Sequence, residues 1–254
     1  MRLIDTHYHY DFLPCHAREN FRTAMANEGI GFIAQTVLPS GFLQLEREEL
    51  AMPAVGFHPW YIAENYPREL EIFREALQRT RFVGEIGLDF APRRLDDVSA
   101  ATQLHVLRSI LEAIRDTATP EPCVLSIHTV RSATAVLDLL EEVGVGPEHA
   151  IPIFHRFGGT SDELTRLVRS GGYISVNPLM LQTKRGRAYV AQVPVDKLLL
   201  ETDLPRAKDC DASDPAGQVA AALRETVRDV AKARKMDVDE FSVALENNAQ
   251  NLGF

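Results

Sequence analysis

His7, His9, Glu85, His128, His155 and Asp203 are the side chains of this 254-residue sequence whose types and spacing suit one piece of chemistry. His7 and His9 stand two apart, and in an extended strand side chains at that spacing share a face, so both imidazoles can reach one ion. Glu85 interrupts the otherwise apolar run Phe82-Val83-Gly84-Glu85-Ile86-Gly87-Leu88, which Asp89 closes. A carboxylate there is costly unless it is paired or binds metal, and glycines on either side let other groups approach the backbone. An ion pair with an arginine such as Arg131 is the alternative for Glu85. His128 ends Cys123-Val124-Leu125-Ser126-Ile127, and His155 follows Ile151-Pro152-Ile153-Phe154. Each of these two, taken alone, fits a satisfied core histidine equally well.

The run Leu198-Leu199-Leu200-Glu201-Thr202-Asp203 ends in two acids, only one of which can face inward. Asp203 is expected to do the metal and proton chemistry. Glu201 is expected to point to a different face or to form a supporting salt bridge. Imidazole and carboxylate ligands without thiolates suit Zn, Mn or Fe, and allow Ni or Co. Two such ions about 4 Å apart produce a hydroxide nucleophile near neutral pH and stabilise the attacking and leaving oxygens, which is hydrolytic chemistry. The sequence has no Walker loop, no Gly-x-Gly-x-x-Gly opening a helix and no Gly-x-Ser-x-Gly elbow, so nucleotide-cofactor and serine-hydrolase readings drop out.

The elements that must carry these residues alternate. Strand candidates are Leu3 to His7, Gly31 to Val37, Ala54 to His58, Phe82 to Asp89, Cys123 to His128, Ile151 to Phe157, Gly172 to Pro178 and Leu198 to Asp203. Several are continuously apolar, as strands buried on both faces are. Between them lie amphipathic stretches such as Arg68 to Arg79, Thr102 to Asp116 and Thr134 to Glu142, and the chain ends in Pro215 to Lys235 and Val238 to Ala249. Thr160 or Ser161 ahead of Asp162 and Glu163 makes an N-cap with acids in the first turn. Eight βα units in about 250 residues predict an α/β fold, a (β/α)8 TIM-type barrel forming a single domain over residues 1–254, with its chemistry at the C-terminal ends of the strands. His7, His9, His58, Glu85, Asp89, His128, His155, Glu201 and Asp203 all fall late in strand runs, five of the eight histidines among them.

Composition bounds the rest. With 45% hydrophobic and 25% charged residues the chain is a globular one, and its longest apolar runs are far short of the roughly 20 residues that span a bilayer. No membrane partner is expected, and a cytoplasmic location is. Cys15, Cys123 and Cys210 are odd in number and widely spaced, which speaks against disulfides or a thiolate zinc motif. A net charge of −9 and a pI near 5.4 give no global attraction for a polyanion, so nucleic acid would have to be drawn locally, by bound cations among other charges.

These motifs, in this order, resemble the TatD family of metal-dependent deoxyribonucleases, within the amidohydrolase-like barrels, over nearly the whole chain. Asp5-Thr6-His7-Tyr8-His9-Tyr10-Asp11 is similar to the family's Asp-x-His-x-His-x-Asp, Gly56-Phe57-His58-Pro59-Trp60 to its Gly-x-His-Pro, and Gly84-Glu85-Ile86-Gly87-Leu88-Asp89 to its Gly-Glu-x-Gly-Leu-Asp. Gln103, His128, His155-Arg156-Phe157-Gly158-Gly159, Leu200-Glu201-Thr202-Asp203-Leu204-Pro205 and Asn248 follow in step. The resemblance implies that His7, His9 and Asp203 hold one divalent ion, His128 and His155 a second, and that Glu85 bridges them. Asp203 would then accept a proton from a water activated by the two metals, His58 would lie near the substrate phosphate, and Asp11 and Asp89 would support the ligands.

The departures bear on substrate. Arg131 follows His128 by three positions where the family often has His-x-Arg, Gly158 replaces a serine, and Arg206 to Pro215 is an acidic loop where typical nucleases carry Arg-Gly and a later Asn-x-Pro. The expected substrate is a nucleic acid, with Arg131, Arg156, Arg206 and Lys208 as phosphate contacts. The competing expectation is a small phosphoester, amide or lactone, and a third, from another class, is a non-catalytic metal- or partner-binding barrel. No obligate protein partner is expected.

Overall fold

The computed structural model describes residues 2–48, 50–208 and 213–254. Within these, seven strands form: β1 (Leu3–Tyr8), β2 (Ile30–Ala34), β3 (Phe82–Asp89), β4 (Cys123–Val130), β5 (Ala150–His155), β6 (Tyr173–Val176) and β7 (Leu198–Leu200). Helices occupy the segments between most of them. The predicted helices form at Tyr66–Ala76, Ala100–Asp116, Ala133–Val143, Pro215–Arg234 and Val238–Asn251. Ala100–Asp116 buries Val106, Leu107, Ile110, Leu111 and Ile114, the three- and four-residue spacing that marks one helical face. Thr160 does cap the helix Ser161–Arg169, and Glu163 reaches back to its backbone to complete a capping box.

Residue contacts divide the chain into two compact units, one of Met1–Ala34, His155–Phe157 and Ile174–Phe254, the other of Gln35–Phe154 and Gly158–Tyr173. Neither is a continuous segment.

In the first unit β1 pairs with β2 and β6 with β7, both parallel. The chain after β7 runs on beside β1. Thr6 Oγ1 donates to Leu200 O at 2.9 Å, Asp203 N to His7 O at 3.0 Å and His9 N to Leu204 O at 2.7 Å. Asp5, fully buried, ties the same two segments together by accepting from His7 N and Thr202 N, each at 3.1 Å, and from the Thr202 hydroxyl. The C-terminal helix is held to β7 by Asn248, whose Nδ2 donates to Val195 O and Leu198 O at 2.7 and 2.8 Å.

In the second unit β3, β4 and β5 lie side by side in parallel register, Phe82 opposite Val124 and Cys123 opposite Ala150. All eight residues of β3 are buried. The expected strand Ala54 to His58 is a correction: only an isolated bridge, Val55 to Val83, forms there. The segment still hydrogen-bonds through Val55 N to Phe82 O, Gly84 N to Val55 O and Phe57 N to Glu85 O, but His58 N turns to Val37 O instead. Pro53 and Pro59, which supply no backbone donor, bracket the segment.

Two glycines explain how three backbones come so close around Glu85. A Cβ at Gly56 would lie 1.8 Å from Thr36 O and 2.4 Å from Glu85 N, and one at Gly87, where φ is +138°, would lie 2.1 Å from His128 O. Gly56→Ala is therefore expected to lower folding stability by about 3 kcal/mol, the upper end of ordinary overpacking costs. Chemical denaturation checks it, and a change under about 0.5 kcal/mol, the range of neutral surface substitutions, would show that the backbone gives way freely.

Candidate metal centre

In the first unit the hydrogen bonds between β1 and residues 203–204 bring three side chains to one point. His7 Nε2 and His9 Nε2 are 3.3 Å apart, and Asp203 Oδ1 lies 3.7 Å from the first and 3.3 Å from the second. Two nitrogens each about 2.0–2.1 Å from a tetrahedral ion are separated by about 3.3 Å, so the imidazole pair has the spacing of ligands on one metal. Asp203 is a non-glycine residue at φ +58°, a backbone state seldom occupied without a compensating reason. Burial works against its charge, but the hydrogen bond from His9 and the potentials of His7, His155 and His9 outweigh it, and the carboxyl is held below the usual range.

His155, at the end of β5, stacks on His7 with ring centroids 4.1 Å apart and planes 7° from parallel. Glu201 lies behind it, fully buried, with Oε1 3.6 Å from His155 Nδ1 and Oε2 accepting from the Ser175 hydroxyl. This matches the supporting salt bridge expected of Glu201. His7, His155 and Glu201 also have donor atoms within 4.8 Å of one another, so Glu201 is itself within reach of a cation. Arg156, placed by sequence among the phosphate contacts, points its Nη1 at Asp203 Oδ2, 2.6 Å away, with its own backbone at φ +44°.

In the second unit the group is His58, Glu85 and His128, again with donor atoms within 4.8 Å of one another. Glu85 Oε1 is 2.8 Å from His128 Nδ1 and 3.3 Å from His58 Nε2. His58, expected beside the substrate, is thus also in ligand range. Asp89 braces His128 from the other side, its Oδ2 3.3 Å from Nε2, and accepts from Ala91 N at 2.8 Å and Trp60 Nε1 at 2.6 Å. Burial raises the Asp89 carboxyl, yet those three bonds win and hold it at about 2. Gln103 clamps the Asp89 backbone from both sides, Oε1 accepting from its N at 2.8 Å and Nε2 donating to its O at 3.0 Å. Arg131 follows β4 as a surface residue at φ +56°.

Both groups offer only imidazole nitrogens and carboxylate oxygens, most at buried positions, with His128 and Asp203 partly exposed. Glu201 Oε1 accepts no hydrogen bond from the described residues, so this buried carboxylate oxygen keeps a lone pair that a cation can use. The donor chemistry therefore fits divalent ions. The roles of Ser175, of Trp60 and of Thr202 as partners of these side chains carried no sequence signal, since hydroxyls and a lone tryptophan have many other uses. Of the loop after Asp203, positions 209–212, Cys210 among them, lie outside the described residues.

Comparison with known proteins is consistent along the chain. The family model described as "TatD related DNase" matches residues 4–252. An uncharacterised metal-dependent hydrolase of Escherichia coli K12, YjjV, is 28% identical over 99% of this chain and 97% of its own. A mouse protein described as a putative deoxyribonuclease, TATDN3, is 27% identical over 70% of this chain and 66% of its own. The crystal structure of the E. coli TatD homologue YjjV superposes with a TM-score of 0.76 at 25% identity, covering 99% of this chain and 97% of that one. An Entamoeba histolytica TatD-family hydrolase superposes at 0.78 with 17% identity, a likeness of fold alone, covering 99% and 98%. The fold is accordingly α/β of the TIM-barrel type.

Proposed function

Because this chain belongs to the TatD-related DNase family, and so is a metal-dependent hydrolase, we propose that it cleaves phosphodiester bonds in nucleic acid with two divalent ions held by its histidines and carboxylates. The observation that carries the reading is the convergence of His7 Nε2, His9 Nε2 and Asp203 Oδ1 within 3.3–3.7 Å of one another. His7, His9 and Asp203 would hold one ion; by the family resemblance alone, His128 and His155 would belong to the other. Glu85 as the shared ligand is carried by the family resemblance alone. Zn, Mn, Fe, Ni and Co all suit these donors.

When bound, the ions supply Lewis acidity to a water and neutralise charge on the phosphate. The protein's own groups do the rest. Asp203, kept ionised by the surrounding imidazoles, takes the proton from the attacking water. Asp89 and Glu201 hold the rings of His128 and His155 in orientation. Arg156 neutralises Asp203 at rest and is long and exposed enough to turn to a phosphate oxygen. We assign the whole of residues 1–254 to one functional domain, and a cytoplasmic location suits its free cysteines.

End-labelled single-stranded oligonucleotide is the substrate to try first, with manganese-reconstituted protein and Asp203→Asn prepared identically. Wild-type cleavage with none by the variant is the expected result. Equal cleavage by both would mark a contaminant. Metal-replete protein that leaves the oligonucleotide intact moves the reading to a small phosphoester, amide or lactone, which the acidic loop after Asp203 favours.

A further inference from the structure

Trp60 stands beside the His58–Glu85–His128 group and supports it from outside without offering it a ligand atom. It is the only tryptophan of the chain and one of few large apolar side chains left exposed, at 42% of its surface. A single exposed apolar residue is ordinary; what sets Trp60 apart is its place beside the candidate ligands. Its position is fixed rather than free. The indole Nε1 donates to Asp89 Oδ2 at 2.6 Å, and its backbone N donates to His58 Nδ1 at 3.0 Å. Its ring meets His58 edge-on at a centroid distance of 5.3 Å and His128 at 6.2 Å.

Arg94 completes the feature. The short helix Pro92–Leu95 lays the Arg94 guanidinium against the Trp60 ring, Cζ to centroid 3.7 Å. Little else holds it there. Its Nε has no hydrogen-bond partner among the described residues, and its ion pair, with the exposed Asp97, is 3.5 Å long. An exposed pair at that distance contributes little, so the guanidinium is set by the ring face. Arg93 on the same helix adds a second cation to a chain of net charge −9. The result is a rigid, planar, cationic surface next to two imidazoles and a carboxylate.

We propose that Trp60 and Arg94 form a nucleotide subsite, the Trp60–Arg94 stack receiving the base next to the scissile phosphodiester and Arg94 the phosphate that joins them. This rests on the phosphodiesterase reading and gives it a substrate class: a substrate with a flat base, in preference to a simple phosphoester. Stacking tolerates every base, because each has a π-face, so the subsite selects for a base without selecting which one. It also supplies locally the attraction for an anion that the overall charge withholds.

Two measurements test this. The first compares kcat/KM on an oligonucleotide with a natural terminal pair and on one whose flanking nucleotide is abasic. The wild type is expected to prefer the natural substrate by about 5- to 150-fold, the range that one stacked base supplies. Trp60→Ala is expected to bring that ratio close to one, and Trp60→Phe, which keeps a ring but loses the bond to Asp89, to restore most of it. Arg94→Gln should reduce it partway. A Trp60→Ala protein that is equally slowed on both substrates would overturn the subsite and leave Trp60 as a support for Asp89.

The second needs no turnover. Fluorescence of the single tryptophan in zinc-loaded protein is expected to be quenched by deoxyadenosine monophosphate and unaffected by 2-deoxyribose 5-phosphate. The same response to both ligands, or to neither, overturns the subsite. Quenching by the adenine ligand alone, with no cleavage of either oligonucleotide, keeps the subsite and rejects the phosphodiesterase reading.

Discussion

Asp203→Asn should lower turnover by about 100- to 10,000-fold, the usual contribution of a positioned general base, while leaving the folded structure in place. The amide matches the carboxylate in size, and asparagine tolerates the left-handed backbone region better than most residues, so the φ of +58° imposes no new strain. The backbone bond from residue 203 to His7 O also persists. What is lost is the charge that faces His7, His9 and Arg156 and the capacity to accept a proton. Steady-state kinetics with metal content and thermal midpoint measured on the same preparation separate these effects. Wild-type kcat in a metal-replete variant would sink the role given to Asp203.

Glu85→Ala should weaken metal binding by at least about 100-fold, because outer partners of metal ligands alone are worth 10- to 100-fold and Glu85 sits in direct ligand range. Its side chain is buried, 3% exposed, and its carboxylate lies 2.8 and 3.3 Å from the imidazoles of His128 and His58. The thermodynamic signature is distinctive. Removing a buried negative charge spares the metal-free protein its desolvation cost, partly offsetting the cavity, whereas the stabilisation on adding metal should shrink by about 2.7 kcal/mol for each 100-fold loss of affinity. Elemental analysis and denaturation with and without metal give both numbers. Full occupancy and an unchanged metal-induced shift would exclude Glu85 as a ligand; Glu85→Gln, which keeps the volume, separates charge from cavity.

His7, His9, Glu85, His128, His155 and Asp203 could be recognised from the sequence because parallel βα units place reactive side chains at strand ends, and apolar runs broken by a histidine or an acid stand out against that pattern. The same regularity marked β3 at Phe82–Asp89 to the residue. It misjudged Ala54 to His58, where apolar composition suggests a strand but only one bridge forms and His58 N turns to Val37 O.

Tertiary structure alone decided the partners. Ser175 and Glu201 are 26 positions apart, Trp60 and Asp89 are 29, and Arg156 and Asp203 are 47. A local pattern constrains which face a side chain takes, through the 3.6- and 2-residue periods, but it carries no information about which side chain from another element meets it. That pairing is set by strand register and by the few loops that turn back over a strand end. The candidate ligand types can therefore be read along the chain, whereas the groups that touch them, and the Trp60–Arg94 stack at their side, exist only once the strands lie in register.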